Sequence, residues 1–207
     1  MSHSRSLRIG LTGGLASGKS TVAGWLRDAG FLVVDADRVV AELYQPGAAG
    51  SAAVRDLFGP EFLNGQGGVD HARVAARVFG DPEARKTLEK AIHPLVRRRF
   101  AEMAAQTEGI VVLEATLLVE AGYVPDFDLV ITVECDGETR LRRAVARGMN
   151  PEAARARLLA QGDGEERRRA AHRRIDNCDD LPHLRRQVDD LIVELRRLTG
   201  SDRPEAH

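Results

Sequence analysis

The stretch Gly13-Gly14-Leu15-Ala16-Ser17-Gly18-Lys19-Ser20-Thr21 decides the fold. Its spacing is G-x-x-x-x-G-K-S, that of a phosphate-binding P-loop. Leu7-Arg8-Ile9-Gly10-Leu11-Thr12, just before it, has strand character. From Thr21 to Ala29, the residues Val22, Trp25, Leu26 and Ala29 recur at helical spacing and mark one face. Gly30 stands where a helix C-terminal glycine belongs. Strand, glycine-rich turn and helix in register are the context that the motif needs.

The residue types follow from the chemistry of a polyphosphate, which must be held by many donors at once. Glycines let the backbone N–H groups of Gly14 to Lys19 turn inward around a β-phosphate. The helix N-terminus adds its unpaired N–H groups and its dipole. Lys19 can reach the β- and γ-phosphates as a mobile point charge, and the Ser20 hydroxyl can ligate Mg²⁺. The nucleotide set is therefore Gly14, Ala16, Ser17, Gly18, Lys19, Ser20 and Thr21, with ATP and Mg²⁺ as the expected cofactors. Lys19 is one of only three lysines in a chain that otherwise uses arginine for positive charge.

Composition narrows the partners. The 207 residues suit one compact domain with subdomains, at 43% hydrophobic and 29% charged content. A formal net charge of −1 gives no global field toward nucleic acid or membrane. No apolar run approaches the ~20 residues of a membrane span. Met1-Ser2-His3-Ser4-Arg5-Ser6 does not read as a secretory signal. Cys135 and Cys178 lie far apart in sequence without metal-type spacing, and suit buried thiols in a reducing cytoplasm. The chain is expected to be a cytoplasmic monomer that acts on small molecules.

Further along, Phe31-Leu32-Val33-Val34 reads as a second strand, buried on both faces of a parallel sheet and ending in Asp35-Ala36-Asp37. Ligands sit beyond the carboxyl ends of such strands, which places both acids near the P-loop. If the strand continues, alternation points them in opposite senses. Residues 38–108 read as a helical insertion for the acceptor substrate. It includes a helix capped by Asp70 with Val74, Val78 and Phe79 inward, a helix over Ala84 to Ala91, and another opening at Ile92-His93-Pro94. His93 reads first as a core or capping histidine.

Ile110 to Leu113 forms a third strand, and Glu114 at its end resembles a Walker B acid that holds Mg²⁺ through water. The fourth strand is Leu129 to Val133, followed by an Asp136-capped helix from Glu138 to Arg147. Residues 140–174 hold eleven arginines against four acids. Most read as solvated, but residues 147–171 have the hinges of a lid that brings arginines to the transferring phosphate. Arg143 and Arg147, at i, i+4, are favoured over the Arg167-Arg168-Arg169 run. Asn177 follows a short fifth strand, where adenine could be read. Leu181 to Leu198 is amphipathic, with Leu184, Val188, Leu191, Ile192 and Leu195 inward, and 200–207 reads as a frayed tail. The expected fold is an α/β three-layer sandwich with a five-stranded parallel sheet, the P-loop NTPase fold. The layout is that of a small kinase of the nucleoside-monophosphate-kinase type.

At this point the chain resembles the dephospho-coenzyme A kinase family. Leu11 to Ala23 is similar to its P-loop stretch, Val34-Asp35-Ala36-Asp37 to its strand-two signature and Ile92-His93-Pro94-Leu95-Val96-Arg97 to its mid-chain signature. Leu117-Leu118-Val119-Glu120 and Ile175-Asp176-Asn177 are similar to two further segments. The resemblance covers about residues 7 to 195. Ala16 stands where the family usually has glycine, Thr116 where it has proline, and His172 where it has aspartate. Gly148 follows Arg147 where an acid is common.

The resemblance implies ATP- and Mg²⁺-dependent phosphorylation of the ribose 3′-hydroxyl of dephospho-coenzyme A. It implies Asp37 as base or orienter of that hydroxyl, with Lys19 and the lid arginines stabilising the moving phosphoryl group. Asp35, His93, Arg97, Leu117 and Glu120 would then contact the acceptor.

Overall fold

A computed structural model describes residues 6–200. Five strands, β1 (Leu7–Gly13), β2 (Leu32–Asp35), β3 (Ile110–Glu114), β4 (Leu129–Glu134) and β5 (Arg173–Asp176), form one sheet in the order β2-β3-β1-β4-β5. β1 runs parallel to β3 and β4, and β4 parallel to β5. Burial explains the sequence of the inner strands. Every residue of β3 is buried, as are the last five of β1 and of β4, so their runs are apolar on both faces rather than alternating.

The helices described are α1 (Lys19–Asp28), α2 (Ala36–Leu43), α3 (Ala49–Phe58), α4 (His71–Val78), α5 (Pro82–Ala105), α6 (Gly137–Ala146), α7 (Pro151–Ala160), α8 (Glu165–Ala170) and α9 (Leu181–Leu198). On one side of the sheet Ile9, Leu11, Val112, Ile131, Val133 and Ile175 meet Val22 and Leu26 of α1 and the apolar stripe of α9. That stripe is Leu184, Val188, Leu191, Ile192 and Leu195, the set that the helical period picks out. Burying each such side chain is worth about 1.5–3 kcal/mol, which makes this the main source of stability in the sheet unit. Gly10 faces the opposite side, where Leu118 and Phe127 cover it so closely that a Cβ would lie 2.7 Å from Leu118 Cδ1. The result is the three-layer α/β sandwich of P-loop NTPases.

The chain divides into two compact units. One holds the sheet, running to Val34 and resuming at Ala104; the other is Asp35–Met103. The second unit is helical apart from a short Leu63–Val69 bridge. It corrects three expectations. Strand β2 stops at Asp35 and the chain turns into α2 at once, so alternation does not govern Asp35 and Asp37. Instead the Asp35 carboxylate caps α2, accepting from the Asp37 N–H at 2.8 Å.

The two helices expected around Ile92 are one helix, α5, with Pro94 inside it. Pro94 lies on the exposed side, where water can serve the carbonyl that loses its helical donor. Helix α4 is capped by Asp70 as expected, but it ends at Val78. Phe79 follows in an extended conformation and is 89% exposed rather than inward. The tail expected over 200–207 lies outside the described residues except for Gly200.

Candidate active site

Strand β1 is central, with β3 and β4 as its neighbours, so the loop after it opens at the crevice where the strand order switches. The loop spans Gly14 to Gly18, and helix α1 starts at Lys19, two residues earlier than its apolar face suggests. Its glycines answer to specific neighbours. Gly18 caps α1 with a left-handed φ of 99°, and a Cβ there would lie 2.1 Å from Asn177 Nδ2. A Cβ on Gly14 would lie 2.1 Å from Arg140 Nη2. Ala16 takes a positive φ of 55° without being glycine.

Parallel pairing sets Glu114, the last residue of β3, beside Leu11 of β1. The Glu114 carboxylate then reaches across the loop mouth. Its Oε1 accepts from Lys19 Nζ at 2.6 Å and from the Ser20 hydroxyl at 2.9 Å. Two of the three polar groups expected to handle phosphate and metal are thus gathered on the third. The Ser20 hydroxyl and a carboxylate form an oxygen donor set suited to a hard divalent cation. Thr12 Oγ1 donates to the Thr116 carbonyl at 3.1 Å, tying the segment after β3 to the end of β1. In that segment Leu118 is fully buried, whereas Leu117 is 45% exposed.

Two amides expected to face phosphate are engaged within the protein. The Leu15 N–H donates to Gln161 Oε1 at 2.8 Å and the Ser17 N–H to the Gly14 carbonyl at 3.1 Å. Asn177 is buried where β5 ends, with its backbone N–H on the Glu134 carbonyl. Its side-chain amide donates to the Ser17 carbonyl at 2.7 Å, so it braces the P-loop.

The arginines sort by burial. Arg143 is half-buried and donates to the Asn177 carbonyl at 2.9 Å, while Arg147 ends α6 in solvent. The arginines that sequence reading passed over lie deeper. Arg140 is 5% exposed, with Nε on the Leu15 carbonyl at 2.9 Å. Arg167 is 1% exposed and donates to Glu120 Oε1 at 2.9 Å, while its Nε and Nη2 are buried without a partner. Burial, and after it the Arg167 charge, holds Arg140 below the usual guanidinium value. The available signal was that Arg140 stands one turn before the inward-facing Ala144 on α6.

The two cysteines, separated in sequence, follow adjacent strands, and Cys135 Sγ, the Asp136 carboxylate and Cys178 Sγ lie within 4.8 Å of one another. Cys135 is buried as expected, but Cys178 is exposed. Desolvation, then a hydrogen bond to Asp176, pushes the Cys178 thiol up to about 12. A cavity of about 650 Å³ opens here, lined among others by Cys135, Cys178, Gly137, Arg140 and Leu159.

The remaining expected residues belong to the helical unit. Asp37 is exposed in the first turn of α2. His93 and Arg97 lie one turn apart within α5, so His93 caps no helix end. Burial pulls the His93 imidazole below its usual value, with Glu89 opposing the shift.

Comparison with known proteins identifies the family. A family model described as dephospho-CoA kinase matches residues 7–183. The chain is 40% identical over 192 residues to a dephospho-CoA kinase of Streptomyces avermitilis, covering 91% of this chain and 94% of that one. It spans 46% of the mycobacterial dephospho-CoA kinases that it matches at 42% identity. Among solved structures, TT1252 from Thermus thermophilus superposes with a TM-score of 0.79 at 36% identity, covering 93% of this chain and 99% of that one. A dephospho-CoA kinase from Campylobacter jejuni gives 0.69 at 26% identity, covering 92% and 97%. With the family model spanning most of its length and this level of identity to a relative covered almost end to end, the chain belongs to the dephospho-CoA kinase family.

Proposed function

We propose that this chain transfers the γ-phosphoryl group of ATP to the ribose 3′-hydroxyl of dephospho-coenzyme A, giving coenzyme A and ADP in the last step of coenzyme A biosynthesis. The observation that carries this reading is the convergence of Lys19 and Ser20 on Glu114 at the P-loop mouth, in a chain of this family. The acceptor oxygen attacks the γ-phosphorus, the bond to the β-phosphate oxygen breaks, and ADP leaves with that electron pair. Asp37 accepts the hydroxyl proton. The transition state is loose, so late proton removal by an ordinary carboxylate suffices.

Lys19 offsets the negative charge that builds on the transferring group, and Arg143 and Arg147, at the entrance to the lid, offset more. Gly14, Ala16, Ser17, Gly18 and Thr21 shape the phosphate cradle, and Asn177 holds it against β5. Ser20 and, through water, Glu114 would hold Mg²⁺, which neutralises phosphate charge when bound. Asp35, His93, Arg97, Leu117 and Glu120 contact the acceptor. The chain would do this as a cytoplasmic monomer; no described helix is long and apolar enough to cross a membrane.

An acceptor screen tests this reading. ADP release should rise strongly with dephospho-coenzyme A and not with nucleoside monophosphates or sugar acids, and Lys19→Ala should abolish it. Equal stimulation by a nucleoside monophosphate would reassign the acceptor.

A further inference from the structure

Two successive peptide groups at the tip of the P-loop are tied from outside the loop. The Leu15 N–H donates to Gln161 Oε1 at 2.8 Å, while the Leu15 carbonyl accepts from Arg140 Nε at 2.9 Å. Arg140 Nη2 donates to that same Gln161 oxygen at 2.7 Å, so the two side chains hold each other as well as the loop. The guanidinium lies against the backbone at Gly14, where a Cβ would come within 2.1 Å of Nη2. Arg140 comes from α6, and Gln161 follows α7.

A trans peptide is planar, and its C=O and N–H point opposite ways. Fixing the Leu15 carbonyl on Arg140 therefore turns the Ala16 N–H to the side away from Arg140. In the preceding peptide the Leu15 N–H points to Gln161, and the Gly14 carbonyl on its other side accepts from the Ser17 N–H at 3.1 Å. Both planes are thus set. Ala16 holds a φ of 55°, a left-handed conformation that costs a non-glycine residue roughly 1–2 kcal/mol and persists where surrounding contacts enforce it.

We infer that Arg140 is a positioning residue for phosphate binding. It locks the Leu15–Ala16 peptide so that the Ala16 N–H is presented to the nucleotide, and Gln161 is its second tie. The pair keeps an alanine in a conformation that a glycine would adopt freely. The inference rests on the reading of this loop as an ATP site.

Calorimetric titration with ATP, which needs no acceptor, tests it on the full chain. Losing a charge-assisted donor to phosphate corresponds to about tenfold to hundredfold in affinity. Arg140→Gln and Gln161→Ala should each weaken ATP by that much. Arg140→Lys should weaken it comparably, because lysine keeps the charge but lacks the fork. The Leu15 amide should exchange faster in Gln161→Ala, and the KM for ATP should rise while that for dephospho-coenzyme A stays put. Full ATP affinity in Arg140→Lys would reduce the role to charge and overturn the inference. So would unchanged ATP affinity in Gln161→Ala, a half-buried site that carries the test if the buried Arg140→Gln protein fails to fold. A wild-type protein that binds ATP but ignores dephospho-coenzyme A would overturn the acceptor assignment and leave the binding test of the loop intact.

Discussion

Glu114 Oε1 lies 2.6 Å from Lys19 Nζ, and the two side chains are 7% and 14% exposed. A lysine that is to meet phosphate is therefore already paired, with the acid that also takes the Ser20 hydroxyl. Breaking a buried pair from one side leaves an uncompensated charge and costs about 3–5 kcal/mol. Glu114→Gln is thus expected to lower the melting temperature of the nucleotide-free protein. ATP should restore much of the loss, because phosphate replaces the missing counter-charge on Lys19. Thermal melts with and without ATP check this. An equal loss in both conditions would mean that Lys19 does not meet the nucleotide.

Asp37→Asn should bind ATP as the parent does and turn over at least ~10²-fold more slowly, the usual scale of general-base effects. Steady-state rates at saturating acceptor, set beside ATP titration, separate the two quantities. A near-normal rate would remove Asp37 from the proposed mechanism.

Two glycines with similar φ should respond very differently to alanine. Gly30 has a φ of 90° with nothing within 4 Å of an added Cβ, so Gly30→Ala should cost about 1–2 kcal/mol of strain alone. Gly18, at 99°, would in addition displace Asn177 Nδ2 from the Ser17 carbonyl. Gly18→Ala should cost about 2–5 kcal/mol and weaken ATP binding. Denaturant unfolding of both variants gives the comparison, and equal losses would show that Asn177 does not brace the loop.

Cys178 is exposed, yet its thiol is pushed up to about 12. The thiolate is the nucleophile, so alkylation by iodoacetamide at pH 8 should be far slower than for an ordinary cysteine of pKa about 8.5. The rate should climb about tenfold per pH unit through pH 10. Peptide-level mass spectrometry follows Cys178 separately from buried Cys135. A plateau by about pH 9.5 would mean that the burial and the Asp176 contact do not hold in solution.

The elements that were legible in the sequence are those whose local chemistry and period agree. The P-loop, the buried strands and the α9 stripe are of this kind, since one strong pattern fixes each. Pro94 misled because a proline is a poor interior helix residue on average. Here it sits on the exposed side of α5, where the lost hydrogen bond is tolerable. Phe79 misled because a large apolar residue beside Val78 argues for burial; five residues after Val74 it stands about 140° round the helix from that buried face, and α4 ends at Val78. Arg140 and Arg167 were passed over because arginine is mostly exposed, and burial of a cation depends on partners distant in sequence, such as Leu15 and Glu120. The meeting of Cys135 with Cys178 depends on β4 and β5 being sheet neighbours, which local pattern does not encode.

The central claim is acceptor-specific phosphoryl transfer. It is tested most directly by following ADP formation from ATP and Mg²⁺ with and without dephospho-coenzyme A, and locating the new phosphate on the product. The account predicts strong acceptor-dependent turnover and a phosphate on the ribose 3′-oxygen. Turnover indifferent to dephospho-coenzyme A, or a phosphate elsewhere on the acceptor, would contradict it.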